Sequence, residues 1–223
     1  FPELSPFSHS RALLYGRSSW FFSTGTTFIA EADWLHKSYT SSTQLEQADF
    51  AEVATVGDGK SQQLLLLLRA AQGVTPRIGL SAEFQLRHNL ASSTRYLRNT
   101  EGFYYTDEEL FEDHFAFHGA AVLLTYRHTL PWEMRLTFSA RREERNFDDR
   151  QAANLLGEPF PDGRLRQDQR TLLAVEWQKS VLMKAEWMPL LLTVNFSWLN
   201  NHSNDLYYNY TSQYSGVNFS WGW

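Results

Sequence analysis

The chain has 223 residues, 43% of them hydrophobic and 15% aromatic, with 20 Lys and Arg against 25 Asp and Glu and no cysteine. That much apolar material excludes a disordered chain, and a net charge of -5 argues against a nucleic-acid partner, which takes clustered cations. The missing cysteines exclude a disulfide scaffold, thiolate zinc and a thiol nucleophile, and no run of roughly 18 apolar residues exists to form a membrane helix.

Residues 1–17 carry Pro2 and Pro6 and show no alternation, so they read as an arm ahead of the first strand. Within the arm, Leu13, Leu14 and Tyr15 form an apolar patch suited to a protein partner. Apolar residues then recur loosely at even positions from Trp20 through Phe22 and Phe28 to Trp34, and a polar stretch fills residues 38–60. A short leucine run from Leu64 ends at Arg69, and "GVTPR" at 73–77 has the Gly and Pro chemistry of a tight turn. From Ile78 the alternation is strict. Ile78, Leu80, Ala82, Phe84 and Leu86 share one face, and Gly79, Ser81, Glu83, Gln85 and Arg87 share the other.

Residues 91–113 are polar and include the acidic run "YYTDEELFED" (104–113), a candidate for divalent cations or a basic partner without an EF-hand pattern. A looser strand from Phe115 to Thr125 precedes the short connection "RHTLP". The next stretch sets Trp132, Met134, Leu136, Phe138 and Ala140 against Glu133, Arg135, Thr137, Ser139 and Arg141. A third polar segment, 147–169, leads to a strand at 171–177 and a connection, "KSVLMKAEWMP", of uncertain boundary. Leu190, Leu192, Val194, Phe196 and Trp198 then oppose Leu191, Thr193, Asn195 and Ser197, and the chain ends on Val217, Phe219, Trp221 and Trp223 at alternate positions.

This amounts to about eight strands, with ten as the other count the boundaries allow, joined alternately by short turns and long polar loops. Such a meander with two unlike ends is the layout of an all-β, antiparallel up-and-down transmembrane β-barrel spanning residues 18–223. A soluble ligand-binding barrel would have the same period with its faces exchanged. Two features favour the membrane form: apolar stripes free of charge over about five positions, and tryptophans near the short-turn end, Trp20, Trp132, Trp177 and Trp187, as an interfacial girdle. The inward face then carries Glu31, Asp33, Arg69, Glu83, Arg87, Glu133, Arg135, Arg141 and Glu176. In so narrow a barrel these mixed charges are expected to pair and plug the lumen.

Other chemistry is sparse. His114 and His118 share a face, but no carboxylate joins them at metal-ligand spacing, so neither metal nor cofactor is expected. Arg142 and Arg145 stand where a strand should leave the bilayer and are candidates for lipopolysaccharide phosphates.

The terminal stripe Val217, Phe219, Trp221, Trp223 resembles the C-terminal signal of Gram-negative outer-membrane proteins. The resemblance implies recognition of that strand by the barrel-assembly machinery and a place in the outer membrane, with turns and N-terminus periplasmic and loops extracellular. More narrowly, "SWLNNHSNDLYYNYTSQYSGVNFSWGW" and "RREERNFDD" resemble the last hairpin and the strand-to-loop exit of barrels that follow helical repeats in envelope assembly and export proteins. The repeats are missing here, which leaves a barrel on its own: a non-enzymatic anchor or accessory subunit whose partner binds the arm or the loops. Two alternatives stand beside it, a small channel and a lipid-modifying enzyme. "NNHSND" is similar in composition to the His, Ser and Asn of one group of lipid A deacylases, but His202 and Ser203 are adjacent where that group spaces them by two. On a strand they face opposite ways, so the segment reads as a polar turn.

Overall fold

The computed structural model describes residues 9–39, 45–48, 51–56, 59–91, 94–99, 104–106, 117–182 and 189–221. The strands are β1 (His9–Phe21), β2 (Thr26–Tyr39), β3 (Leu45–Ala48), β4 (Ala51–Val56), β5 (Lys60–Thr75), β6 (Ile78–Ala91), β7 (Thr94–Asn99), β8 (Tyr104–Thr106), β9 (Phe117–Leu130), β10 (Met134–Gln151), β11 (Leu165–Leu182), β12 (Pro189–Ser203) and β13 (Tyr210–Trp221). Nine form one sheet in the order β1-β2-β5-β6-β9-β10-β11-β12-β13, and four form a second in the order β3-β4-β7-β8. Every pair in the main sheet is antiparallel and joins strands consecutive in its order. The chain has the all-β, up-and-down fold of a transmembrane β-barrel.

The strand count departs from about eight for a local reason. The stretch from Trp20 to Trp34 is not one strand: residues 22–25 turn, with Gly25 at φ 77°, its N–H donating to the Phe22 carbonyl at 3.0 Å and the Phe22 N–H donating to the Thr26 carbonyl at 2.9 Å. The strand before this turn is β1, paired with β2 over thirteen residues, Leu13 opposite Leu35, Leu14 opposite Trp34 and Tyr15 opposite Asp33. The expected arm at 1–17 is therefore corrected from His9 onward. Leu13, Leu14 and Tyr15 belong to a strand, with Leu14 on the face opposite to the other two. Since β1 leads into a short turn, it begins at the long-loop end.

At the β5–β6 turn the Thr75 hydroxyl accepts from the backbone N–H groups of Arg77 and Ile78 at 3.2 and 3.0 Å, a side-chain substitute for a backbone turn bond. Between β9 and β10 the turn occupies residues 131–133, so Trp132 and Glu133 precede the strand instead of opening it. Both sit in the left-handed region, at φ 59° and 58°. Glu133 is thereby removed from the inward set. A non-glycine residue there carries about 1–2 kcal/mol of steric cost, so Glu133→Gly is expected to raise stability by about 1 kcal/mol in a urea titration of the folded protein.

The segments 38–60 and 91–113, expected as loops, contribute the second sheet: β3 pairs β4, β4 pairs β7 and β7 pairs β8. Of the acidic run, Tyr104–Thr106 is β8 and residues 107–113 lie outside the described residues.

Contacts across intervening strands fix the curvature of the main sheet. The Arg141 Nη2 on β10 donates to Gln85 Oε1 on β6 at 3.1 Å over β9, and Gln63 Nε2 on β5 donates to the Phe117 carbonyl on β9 at 3.1 Å over β6. Side chains from strands two apart meet only on a concave face, so the polar face is the inner one. The outer face is apolar. Along one row of paired residues stand Leu80, Tyr126, Phe138, Val175 and Phe196; along another stand Phe28, Ala70, Ala82, Leu124, Ala140, Leu173 and Trp198. Among the described residues the buried apolar set is only Tyr39, Phe117, Ala121, Phe147 and Ala152. A water-soluble chain buries its large side chains, whereas here they coat the outside.

One glycine is required by close approach. A β-carbon at Gly119 would lie 1.9 Å from the Glu144 carbonyl oxygen, because β10 leans on β9 between the paired rows Ala121–Glu143 and His118–Asn146. Backbone cannot move aside as a side chain does, so Gly119→Ala is expected to destabilise by roughly 1–3 kcal/mol, read from the same urea titration.

Candidate functional site

The inner face has two zones. Toward the long-loop end it is filled by a network of charges and rings. Glu143 is buried and accepts from Arg141 at 3.4 Å and from Arg145 at 3.2 Å. The guanidinium groups of Arg87 and Arg145 lie 4.8 and 4.5 Å from the Phe117 ring centroid, and Phe117 packs on Phe147 at 5.6 Å. Arg166 lies 4.3 Å from the Phe147 centroid and 3.5 Å from that of Tyr208. Its Nε and Nη2 donate to the two oxygens of Asp168 at 2.9 and 2.5 Å, and the Ser203 hydroxyl donates to the same carboxylate at 2.6 Å.

The connection after β10 is tied onto this network. Asp205 accepts from the Ala153 N–H at 3.2 Å and the Tyr207 N–H at 3.1 Å, Leu206 donates to the Ala153 carbonyl, and Arg150 donates to the Tyr208 hydroxyl at 2.6 Å. Buried charges persist only when paired and hydrogen-bonded, which is the state of Glu143, Arg166 and Asp168.

Further toward the short turns the inner face thins. Ala71 pairs with Ser81, Ser81 with Thr125, Thr125 with Ser139 and Ser139 with Ala174, one row of small side chains across five neighbouring strands. A cavity of about 830 Å³ lies against this row and the residues flanking it. The inner face is thus filled by paired side chains toward the long-loop end, with a cavity beside the small-residue row.

No family model matches the chain, and no curated protein matches it. Among solved structures the chain is similar to the crystal structure of the beta domain of the Bordetella autotransporter Brka, at 12% identity and a TM-score of 0.40, over 95% of this chain and 84% of that one. The inside-out arrangement of polar and apolar faces rests on the register and contacts of this chain alone.

Of the residues singled out by sequence, Glu31, Asp33, Arg69, Glu83, Arg87, Arg141 and Glu176 stand on the inner face; Arg69 is directly opposite Glu83, and Glu31 opposite Arg17 of β1. Arg135 shares that face near the short-turn end and is exposed. Arg145, expected at lipid phosphates, instead points inward, against Glu143 and Phe117. Arg142 points outward, where it is exposed and donates to Thr171 Oγ1 and Gln169 Oε1 at 2.8 and 2.7 Å.

Trp20 is exposed near the end of β1, Trp177 is half-buried on β11, Trp132 is in its turn, and Trp187 lies outside the described residues. Val217, Phe219 and Trp221 are exposed on one face of β13, and Trp223 lies outside the described residues. "NNHSND" is not a turn through its first four residues: β12 runs to Ser203, with His202 exposed and Ser203 buried on the other face. His118 Nδ1 lies 2.9 Å from Asp148 Oδ1, an ion-pair geometry from β10 that spacing on one strand could not reveal; His114 lies outside the described residues.

The inner ring stack was missed by sequence reasoning. Phe117 and Phe147 sit where the apolar stripes give way to charge, and their signal is a lone aromatic on the polar face.

Proposed function

We propose that the chain is the membrane-embedded barrel of a bacterial outer-membrane protein and serves as an anchor or accessory subunit of an envelope complex. The observation that carries this reading is the paired network on the inner face, where Glu143, Arg145, Phe117, Phe147, Arg166 and Asp168 crowd the long-loop end with ion pairs and ring contacts. The reading also draws on Ser203, whose hydroxyl is committed to Asp168 while His202 faces the other way, so the pair has no base-to-nucleophile contact. In this reading the short turns face the periplasm, the β3-β4-β7-β8 sheet is extracellular and meets the partner, and Arg142 meets lipopolysaccharide phosphate at the edge of the apolar stripe. Val217, Phe219, Trp221 and Trp223 are the stripe read by the assembly machinery.

Three measurements test it. Fractionation should recover a heat-modifiable band in the outer membrane. The purified protein should give no conductance steps in planar bilayers and release no label from lipid A. Steady unitary conductance would replace the anchor with a channel, and turnover of lipid would replace it with an enzyme.

A further inference from the structure

The main sheet ends on β1 and β13, and no pairing joins the two among the described residues. Every residue of β1 beyond His9 is exposed, and so is every residue of β13 apart from Gly216. Both strands carry outward apolar residues at lipid depth, Leu14 and Trp20 on one, Val217, Phe219 and Trp221 on the other. A strand edge there leaves a row of backbone donors and acceptors without water to satisfy them.

Direction decides what can close the sheet. β1 runs into the short turn at residues 22–25, each neighbour reverses, and after nine strands β13 again runs toward the short-turn end. Direct closure of β1 on β13 would be a parallel pair, unlike every other pair in the sheet. A second copy in the same membrane presents the same two directions and gains nothing.

We propose that the sheet is closed by one further strand of polypeptide from outside the 223 residues, running from the short-turn end to the long-loop end and pairing antiparallel with β1 and β13 at once. Its length should match the twelve residues of β13. Its outward positions should be apolar toward the short turns, continuing Trp20 on one side and Val217, Phe219 and Trp221 on the other. Its inward positions should be small or polar, beside Ser19 and Ser212. The inference goes beyond the anchor reading and stands whether or not the barrel conducts.

The chain has no native cysteine, so engineered pairs report cleanly. In membranes of cells making the protein, Ser18→Cys with Ala30→Cys, which are register partners, is the control for a folded sheet. Ser18→Cys is then combined in turn with Gln213→Cys, Ser215→Cys and Val217→Cys. The expected result is a strong control disulfide and at least tenfold less cross-linking in all three edge pairs. In parallel, benzoylphenylalanine placed at Ser18 or at Ser215 should capture one and the same peptide from outside residues 1–223. Disulfide between β1 and β13 at the yield of the control overturns the proposal. Adducts to β1 or β13 of a second copy, to residues 1–8, or to lipid alone at both positions overturn it equally.

Discussion

Asp168→Ala is expected to destabilise the folded barrel by about 3–5 kcal/mol, the cost of breaking a buried ion pair by removing one partner. The side chains of Arg166 and Asp168 are 4% and 1% exposed, and the guanidinium engages both carboxylate oxygens. With the carboxylate gone, the guanidinium keeps the rings of Phe147 and Tyr208, which attract a cation, but loses two charge-assisted hydrogen bonds. Ser203 also loses its acceptor. Asp168→Asn keeps one acceptor oxygen and should cost less than the alanine change. The double replacement Arg166→Met with Asp168→Leu should also cost less, because it removes both charges and both desolvation penalties. Urea unfolding in detergent micelles, followed by tryptophan fluorescence, ranks the three. A loss under 1 kcal/mol for Asp168→Ala would mean that the Arg166 charge is compensated without this carboxylate.

That network shows where sequence reasoning stops. The alternation of Leu80, Ala82, Phe84 and Leu86 against Ser81, Glu83, Gln85 and Arg87 was legible because a strand with lipid on one side and charge on the other writes its faces into every second residue. The same holds for Leu190 to Trp198. Residues 9–17 were not legible: Leu13, Leu14 and Tyr15 are consecutive apolar residues, and Gly16 and Ser18 on the outer face of β1 carry no hydrophobic signal. The turn at Gly25 was lost for the same reason, since Phe22 and Phe28 flank it in phase and hide the reversal. Arg145 was misplaced because the cluster Arg141, Arg142, Arg145 reads as one patch along the chain, while a strand sends Arg142 to one face and the other two to the opposite one. Which ring an arginine stacks on depends on strands two apart in the sheet, as Arg87 of β6 and Arg145 of β10 meet over Phe117 of β9. One-dimensional spacing carries no record of that.

The exterior provides the second large effect. Phe138 and Ser139 are neighbours on β10 that point to opposite faces: Phe138 outward between Tyr126 and Val175, 42% exposed, and Ser139 inward between Thr125 and Ala174. The outward stripe of β10 runs Met134, Leu136, Phe138, Ala140 and ends at Arg142, so Phe138 is near its centre. On β12 the matching stripe runs from Leu190 to Trp198, nine residues or roughly 27 Å of strand, which a tilt of about 35–45° reduces to about 20 Å of depth, most of the roughly 25 Å apolar band of such barrels. An arginine at that depth has no water and no headgroup within reach. Phe138→Arg is therefore expected to cost about 2–4 kcal/mol. Ser139→Arg adds the same charge one residue away, but into the cavity that borders the small-residue row, where the side chain has room and the hydroxyls of Thr125 and Ser81 lie along the row. Its cost should stay under about 1 kcal/mol, the range of a change with neither burial nor strain. The contrast is read by urea titration of the two variants refolded into phospholipid vesicles. The reverse order, with Ser139→Arg the more damaging, would put lipid on the charged face and overturn the inside-out reading of the whole sheet.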